Sequence, residues 1–304
     1  MSVSNDFASS PAERAWQQTP EAPERTLVVG AGGQLGRALQ GLWLGRDDVD
    51  FVERDVLDVG AHASISAFDF SPYSVIVNAA GYTDKDGAES AEGRREAWAV
   101  NAQGVALLVS AAREAGAVLV HISSDYVFDG SVAFHTEEEG FAPLGVYGQT
   151  KAAGDAAVST LGTHYILRTS WVVGEGKNFV ATMREHARSG ESPSVVNDQF
   201  GRLTFTEEIA RAVDFVLREK VPFGTYNVSN SGDLASWFDI AQRVYALTGH
   251  DPDMVQSVSS AEYLDAHKGV AVRPINSALD LSKIVAAGFH PRDQFEALAA
   301  YLAQ

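Results

Sequence analysis

Tyr147 and Lys151 stand four residues apart, a spacing that on a helix puts a phenol and an ammonium on one face. A positive charge so close favours the phenolate and should pull the tyrosine pKa down from its usual value of about 10. Such a tyrosine can hand a proton to a carbonyl oxygen and take one back. Upstream runs Ser123-Ser124-Asp125-Tyr126-Val127-Phe128-Asp129-Gly130, which supplies a hydroxyl, a carboxyl and a second phenol. A Tyr-x-x-x-Lys pair alone is a two-residue pattern that chance also produces, so its meaning depends on the elements around it.

Those elements alternate. Short apolar runs at 26–30, 49–52, 75–78, 118–123 and 165–169 read as strands, and helix-period segments at 35–43, 88–115 and 147–161 lie between them. This is the pattern of a mostly parallel sheet wrapped by helices. Beyond Ser170 the alternation loosens, with helices expected at 179–188, 206–219 and 235–248 and a strand at 225–228. The fold class expected is therefore α/β: a Rossmann-type doubly wound parallel sheet with a smaller, interleaved C-terminal substrate-binding lobe. Residues 25–171 would form the dinucleotide-binding domain, with a return segment at about 204–230. Residues 172–304 would be mainly the substrate lobe.

The first strand runs into Gly30-Ala31-Gly32-Gly33-Gln34-Leu35-Gly36. Glycines at this spacing let the backbone turn tightly and approach a pyrophosphate, whose charge then sits at a helix N-terminus. Gly30, Gly33, Gln34, Leu35 and Gly36 are thus candidate cofactor residues, against the plainer reading of an ordinary strand-to-helix turn. Glu53-Arg54 closes the second strand. An acid there bonds ribose hydroxyls and disfavours a 2′-phosphate, whereas an arginine accepts one. The two signals conflict, so the cofactor is NADPH or NADH, with a lean to NADPH. Asp58 is placed to bond the adenine or to cap a helix. Asn78-Ala79-Ala80, at the end of the third strand, leaves room for a nicotinamide ribose across the sheet edge.

Composition narrows the partners. The chain has 304 residues, a formal net charge of -17 and no cysteine. The acidity argues against nucleic acid or an anionic membrane as a partner. Lack of cysteine excludes disulfides, thiolate nucleophiles and zinc-thiolate sites, and fits a cytoplasmic protein. Residues 1–24 carry Pro11, Pro20 and Pro23 and no apolar core, and read as a disordered tail or linker rather than a signal peptide.

From Gly30 to Lys151 the chain resembles the extended short-chain dehydrogenase/reductase superfamily: a glycine loop, an Asn-Ala-Ala strand end, a Ser or Thr after the next strand, and Tyr-x-x-x-Lys. Within it the sequence is similar to the dTDP-4-dehydrorhamnose reductases. The supporting strings are Ser124-Asp125-Tyr126-Val127-Phe128-Asp129-Gly130, Arg168-Thr169-Ser170-Trp171-Val172, Asn197-Asp198-Gln199-Phe200-Gly201 and Arg273-Pro274 followed by Ser277, Leu279 and Asp280. The resemblance implies NAD(P)H-dependent reduction of a dTDP-linked 4-keto-6-deoxy sugar. Tyr147 would be the general acid, Lys151 would lower its pKa and hold the nicotinamide ribose, and Ser124 would fix the carbonyl. Asp125, Tyr126, Trp171, Asn197, Gln199, Arg202 and Arg273 would contact the substrate, Arg273 as a diphosphate clamp. Related 4,6-dehydratases carry an Asp-Glu pair after the Thr; Tyr126 in place of that Glu favours plain reduction.

Some positions depart from the family pattern. Leu203 stands where the family commonly has proline, Asp84-Lys85 where it has an apolar pair, and Gly87 where it has lysine. Arg37-Ala38 occupy the place of a metal-binding glutamate, so no metal site is implied. Residues 10–24 could join this chain to the preceding 3,5-epimerase. Glu137-Glu138-Glu139 reads as a solvated loop, and His121 as a satisfied core or edge residue. Two rivals remain: another nucleotide-sugar reductase or epimerase, and a non-catalytic relative of the methionine adenosyltransferase regulatory subunit. Retention of Ser124, Tyr147 and Lys151 together weighs against the latter.

Overall fold

A computed structural model describes residues 25–304; the expected tail or linker at 1–24 lies outside the described residues. Its first half alternates β1 (Thr26–Val29), α1 (Gln34–Leu42), β2 (Val49–Val52), α2 (His62–Ala67), β3 (Val75–Asn78), α3 (Ala91–Trp98), α4 (Val105–Ala115), β4 (Val118–Ser124), α5 (Val146–Val158) and β5 (His164–Thr169). The second half holds β6 (Val172–Val173), α6 (Phe179–Ser189), β7 (Ser194–Val196), β8 (Phe200–Gly201), β9 (Thr204–Phe205), α7 (Thr206–Arg218), β10 (Gly224–Asn227), β11 (Ala235–Ser236), α8 (Trp237–Leu247), β12 (Gln256–Val258), α9 (Ser260–Ala266), α10 (Ser282–Ala286) and α11 (Gln294–Leu302).

Six strands form one sheet in the order β2-β1-β3-β4-β5-β10, every pair parallel. The apolar runs are continuous because both sheet faces are covered. Side chains alternate across it: Leu27, Val29, Ile76, Leu119 and Ile166 pack towards Val105, Leu108 and Val109 of α4. Val28, Val77, Val120 and Leu167 pack on the other side against Leu39 of α1 and Ile209 and Val213 of α7. Each fully buried side chain of this kind contributes about 1.5–3 kcal/mol. Chain order reverses between β1 and β3, which opens a crevice at the carboxyl ends of the strands, where ligands of such sheets bind.

A second core joins α6, α8 and α11 through Val180, Met183, Ile240, Val244, Tyr245 and Leu298. Three two-stranded pairs, β6·β9, β7·β12 and β8·β11, add Val173, Val195, Phe205 and Ala235 to it. No helix among the described residues is long and apolar enough to cross a membrane.

The expected single helix over 88–115 is not one helix. A 3-10 turn (Gly87–Glu89) precedes α3, and a π-helical segment (Ala99–Gly104) separates α3 from α4. The Asn101 side chain inside it accepts from Tyr82 N at 2.9 Å and donates to Tyr82 O at 3.0 Å and Thr150 Oγ1 at 3.1 Å. Hydropathy period sees a helix there but not this extra residue per turn, and π segments of this kind are found at functional sites. The hydropathy pattern also predicts no helix where α9 and α11 stand. Their starts are nevertheless written in the sequence, as a Ser259/Glu262 capping box and an Asp293 N-cap.

Candidate active site

β4 outruns its neighbour. Asn78, the last residue of β3, pairs with His121, and β4 continues to Ser124 opposite Thr169. The chain then turns through a 3-10 segment (Asp125–Val127) in which the Ser124 hydroxyl accepts from Tyr126 N at 3.2 Å and donates to Asp125 Oδ1 at 3.0 Å. Helix α5 presses onto this turn. A Cβ on Gly148 would lie 2.1 Å from Tyr126 O, and one on Gly154 2.4 Å from Asn101 O. Two small residues let α5 approach closely enough for Tyr147 to meet Ser124.

Tyr147 is buried, with the Ser124 hydroxyl close enough to act on its phenol and the Tyr126 ring edge-on at 5.4 Å and 79°. The expected depression of its pKa by Lys151 is not what dominates here. Burial pushes the phenol above its ordinary value, and Ser124 acts in the opposite direction. Lys151 instead donates from Nζ to Ile122 O at 2.6 Å; burial lowers its pKa to about 8 against the pull of Asp155. Burial likewise raises Asp125 to about 6, countered by Ser277, Ser124 and Lys85.

Behind these groups lies an ionic layer that was not read from the sequence. Asp155 pairs with Arg168 Nε at 3.0 Å, both buried, and faces His121 Nε2 at 3.9 Å. Arg168 lies against the rings of Phe128 and Phe141, 5.1 and 5.3 Å from their centroids. His121 lies in the core as expected but is only half satisfied: its Nδ1 meets Asn78 Nδ2 at 3.1 Å, while its buried Nε2 has no hydrogen-bond partner; burial holds it well below its ordinary pKa. The available signal was spacing: Tyr147, Lys151 and Asp155 recur every four residues, a stripe on one helix face.

At the nucleotide end the glycines are required by the backbone. Gly30 has φ +85°, and a Cβ there would sit 2.6 Å from Ala80 N; on Gly36 it would sit 2.4 Å from Ala31 O. Gly33 caps α1 without a side-chain bond, which leaves first-turn amides available to an anion. A dinucleotide's diphosphate fits this cradle. Leu35 is buried against the sheet, while Gln34 donates to Lys177 O at 3.0 Å. The exposed Glu53 carboxyl lies over the loop, 3.2 Å from the position a Gly32 Cβ would take. Arg54 pairs with Asp58 at 3.2 Å and Glu96 at 3.7 Å. Asp58 also accepts from Gly60 N at 2.9 Å, closing a turn, whereas the N-cap of the next helix is Ala61. Asn78 Oδ1 accepts from Ala80 N at 3.2 Å, which shapes the Ala79-Ala80 edge.

The remaining expected substrate residues divide into two groups. Asp125, Tyr126 and Arg273 meet beside Tyr147: Arg273 donates to Tyr126 Oη at 3.2 Å and to both Asp86 oxygens at 2.9 Å. Trp171, with φ +45°, stacks on Trp237 at 3.7 Å within the second core. Asn197 is exposed, Gln199 donates to Ser260 Oγ at 2.9 Å, and Arg202 ties Gly232 O and Leu279 O at 2.8 and 3.3 Å. Leu203 N donates to Gln294 Oε1 at 2.9 Å, a bond that proline cannot make. Glu137-Glu138-Glu139 is not simply a solvated loop. Glu137 accepts from Asn227 N at 2.8 Å, Glu138 pairs with Lys283 at 3.2 Å and Glu139 with His135 at 2.9 Å.

The RmlD substrate binding domain family matches residues 24–304. The chain is 38% identical over 293 residues to the dTDP-4-dehydrorhamnose reductase of Aggregatibacter actinomycetemcomitans, an alignment covering 90% of this chain and 97% of that one. It is similar in structure to the enzyme of that name from Clostridium acetobutylicum, with TM-score 0.84, 34% identity, and 92% and 98% of the two chains covered. The Bacillus anthracis enzyme, solved in complex with NADP, gives TM-score 0.82 and 31% identity over 92% and 98%.

Proposed function

The chain belongs to the RmlD substrate binding domain family, and on that premise we propose that it is a dTDP-4-dehydrorhamnose reductase. It reduces the 4-keto group of dTDP-4-dehydro-6-deoxy-L-mannose to give dTDP-L-rhamnose, the last step in making that activated sugar. The observation that carries this reading is the buried Tyr147 phenol beside Ser124 and flanked by Tyr126, at the carboxyl edge of a sheet whose glycine loop fits a diphosphate.

When bound, NADPH or NADH supplies the hydride that adds to sugar C4. Tyr147 gives its proton to O4, and Ser124 holds that oxygen in place before charge develops on it. Lys151, one turn along α5, would hold the nicotinamide ribose. Gly30, Gly33, Gln34, Leu35 and Gly36 would hold the diphosphate, Glu53, Arg54 and Asp58 the adenosine, and Asn78, Ala79 and Ala80 the nicotinamide ribose. Asp125 and Tyr126 would meet the sugar, Arg273 the diphosphate, and Trp171, Asn197, Gln199 and Arg202 the rest of the nucleotide sugar. Residues 25–171 with the return at about 204–230 serve the cofactor, and the rest of 172–304 mainly the substrate. A cytoplasmic location and association with the preceding epimerase belong to the same proposal, the latter tested by co-purification.

The test generates the keto sugar in situ from dTDP-glucose with a dehydratase and an epimerase, then adds this protein with NADPH or NADH. Stoichiometric cofactor oxidation with dTDP-L-rhamnose identified by NMR is expected. No oxidation with either cofactor would overturn the proposal.

A further inference from the structure

Lys85 lies on the segment after β3, which carries Asp84, Lys85 and Asp86. Its Nζ sits 5.5 Å from the centroid of the Tyr147 ring and 5.9 Å from that of Tyr126. The two rings meet edge to face, so one ammonium serves both. Lys151, the cation expected to act on the phenol, has its Nζ on Ile122 O. The charge beside the Tyr147 ring therefore comes from a different element, the β3 loop.

We propose that Lys85 is a positioning residue for the reduction, holding a positive charge over the Tyr147 ring that favours the tyrosinate formed as the proton leaves for O4. This rests on the reductase reading given above. A cation over an aromatic face is attracted by the ring even when neutral, and more strongly once the ring carries negative charge. The proton lost by Tyr147 ends on the substrate oxygen as the hydride ends on C4, so the ring is left anionic until solvent reprotonates it.

Other charges surround the pair. Asp125 and Tyr126 act on the phenol from the end of β4 and Asp155 from its own helix. Asp84 and Asp86 on the β3 loop and Arg273 on the C-terminal segment act on Lys85, and Asp155 acts on Lys151. Glu89 caps the start of α5 through Val146 N at 2.8 Å, and His121 faces Lys151. Most of these are acids that disfavour a tyrosinate, and Arg273 is already engaged by Asp86. Burial lowers the Lys85 pKa while Asp125 holds it up.

The test compares wild type, Lys85→Met and Lys85→Arg in steady-state reduction from pH 6 to 10, with cofactor affinity read separately by fluorescence quenching. Removing the cation makes the phenol a weaker acid. Lys85→Met should lower kcat about tenfold, equivalent to about 1.4 kcal/mol, across the whole range, with KM for the sugar and cofactor Kd each changed less than twofold. Lys85→Arg should retain the wild-type kcat. A Lys85→Met kcat equal to wild type, a loss that lies wholly in KM for the sugar, or a Lys85→Arg variant as slow as Lys85→Met would overturn the inference. Wild-type turnover in the same series keeps the reductase reading separate, since that reading fails only if the wild type is inactive.

Discussion

The two ends of the crevice are built differently. At the nucleotide end, recognition rests on backbone: Gly30 held at φ +85° against Ala80, Gly36 against Ala31, and the open first turn of α1. Side chains there, Glu53 and Arg54, are exposed. At the sugar end the backbone only brings α5 close, and Tyr147, Lys151 and Asp125 are buried with pKa values moved by that burial. Binding a dinucleotide thus depends on the space that glycines leave. Chemistry depends on a few side chains in a low-dielectric pocket, where removing one charge is felt by all the others.

If that division holds, the largest effect should come from the ionic layer under the sugar end. Asp155→Asn leaves Arg168 buried without its carboxylate, a loss of about 3–5 kcal/mol of stability for a broken buried pair, measurable as a lower midpoint in urea. The same change acts on activity with a defined sign. Asp155 holds the Lys151 pKa up against burial, so its removal lets Lys151 lose its proton below about pH 8. The alkaline limb should move down in an initial-rate profile, whereas Lys85→Met should lower the rate and leave the limb in place. Equal and unshifted profiles would dissolve the distinction between the two ends.

Next in size is Gly30→Ala. The left-handed backbone costs about 1–2 kcal/mol for a residue with a Cβ, and that Cβ would meet Ala80 N at 2.6 Å. Cofactor Kd should rise about tenfold or more by fluorescence titration, with the sugar-end profile unmoved. The smallest effect is expected of Arg54→Ala. Arg54 is shared between Asp58 and Glu96 and exposed, so such pairs are worth only about 0–1 kcal/mol. The ratio of NADPH to NADH affinity should change about fivefold or less, by titration with both cofactors.

Legibility followed the same division. Strands β2 and β3 fall on the expected residues: the inner β3 because a doubly covered strand needs an apolar run, and the edge strand β2 although Asp50 interrupts its run. The glycine loop was readable because its spacing states a backbone requirement. Ser124, Tyr147 and Lys151 were readable through local spacing and resemblance. What stayed hidden arises from tertiary approach. That Lys151 bonds Ile122 O depends on how α5 seats on β4, and the helix period gives no hint of the π segment that turns Asn101 to Thr150. The Asp155–Arg168 pair joins α5 to β5, and Lys85 meets Tyr147 only because the β3 loop folds across the crevice. In each case the sequence supplies the groups but not the partner, which burial in a shared space selects.

The central claim is that Tyr147 donates the proton to the keto oxygen. Its most direct test is Tyr147→Phe assayed with the in situ dTDP-4-keto sugar, beside a cofactor titration of the same variant. The account predicts that kcat falls by about 10²–10⁴, the range for a lost general acid, while cofactor Kd stays within about threefold and the fold is retained. Reduction at the wild-type rate by Tyr147→Phe would contradict it.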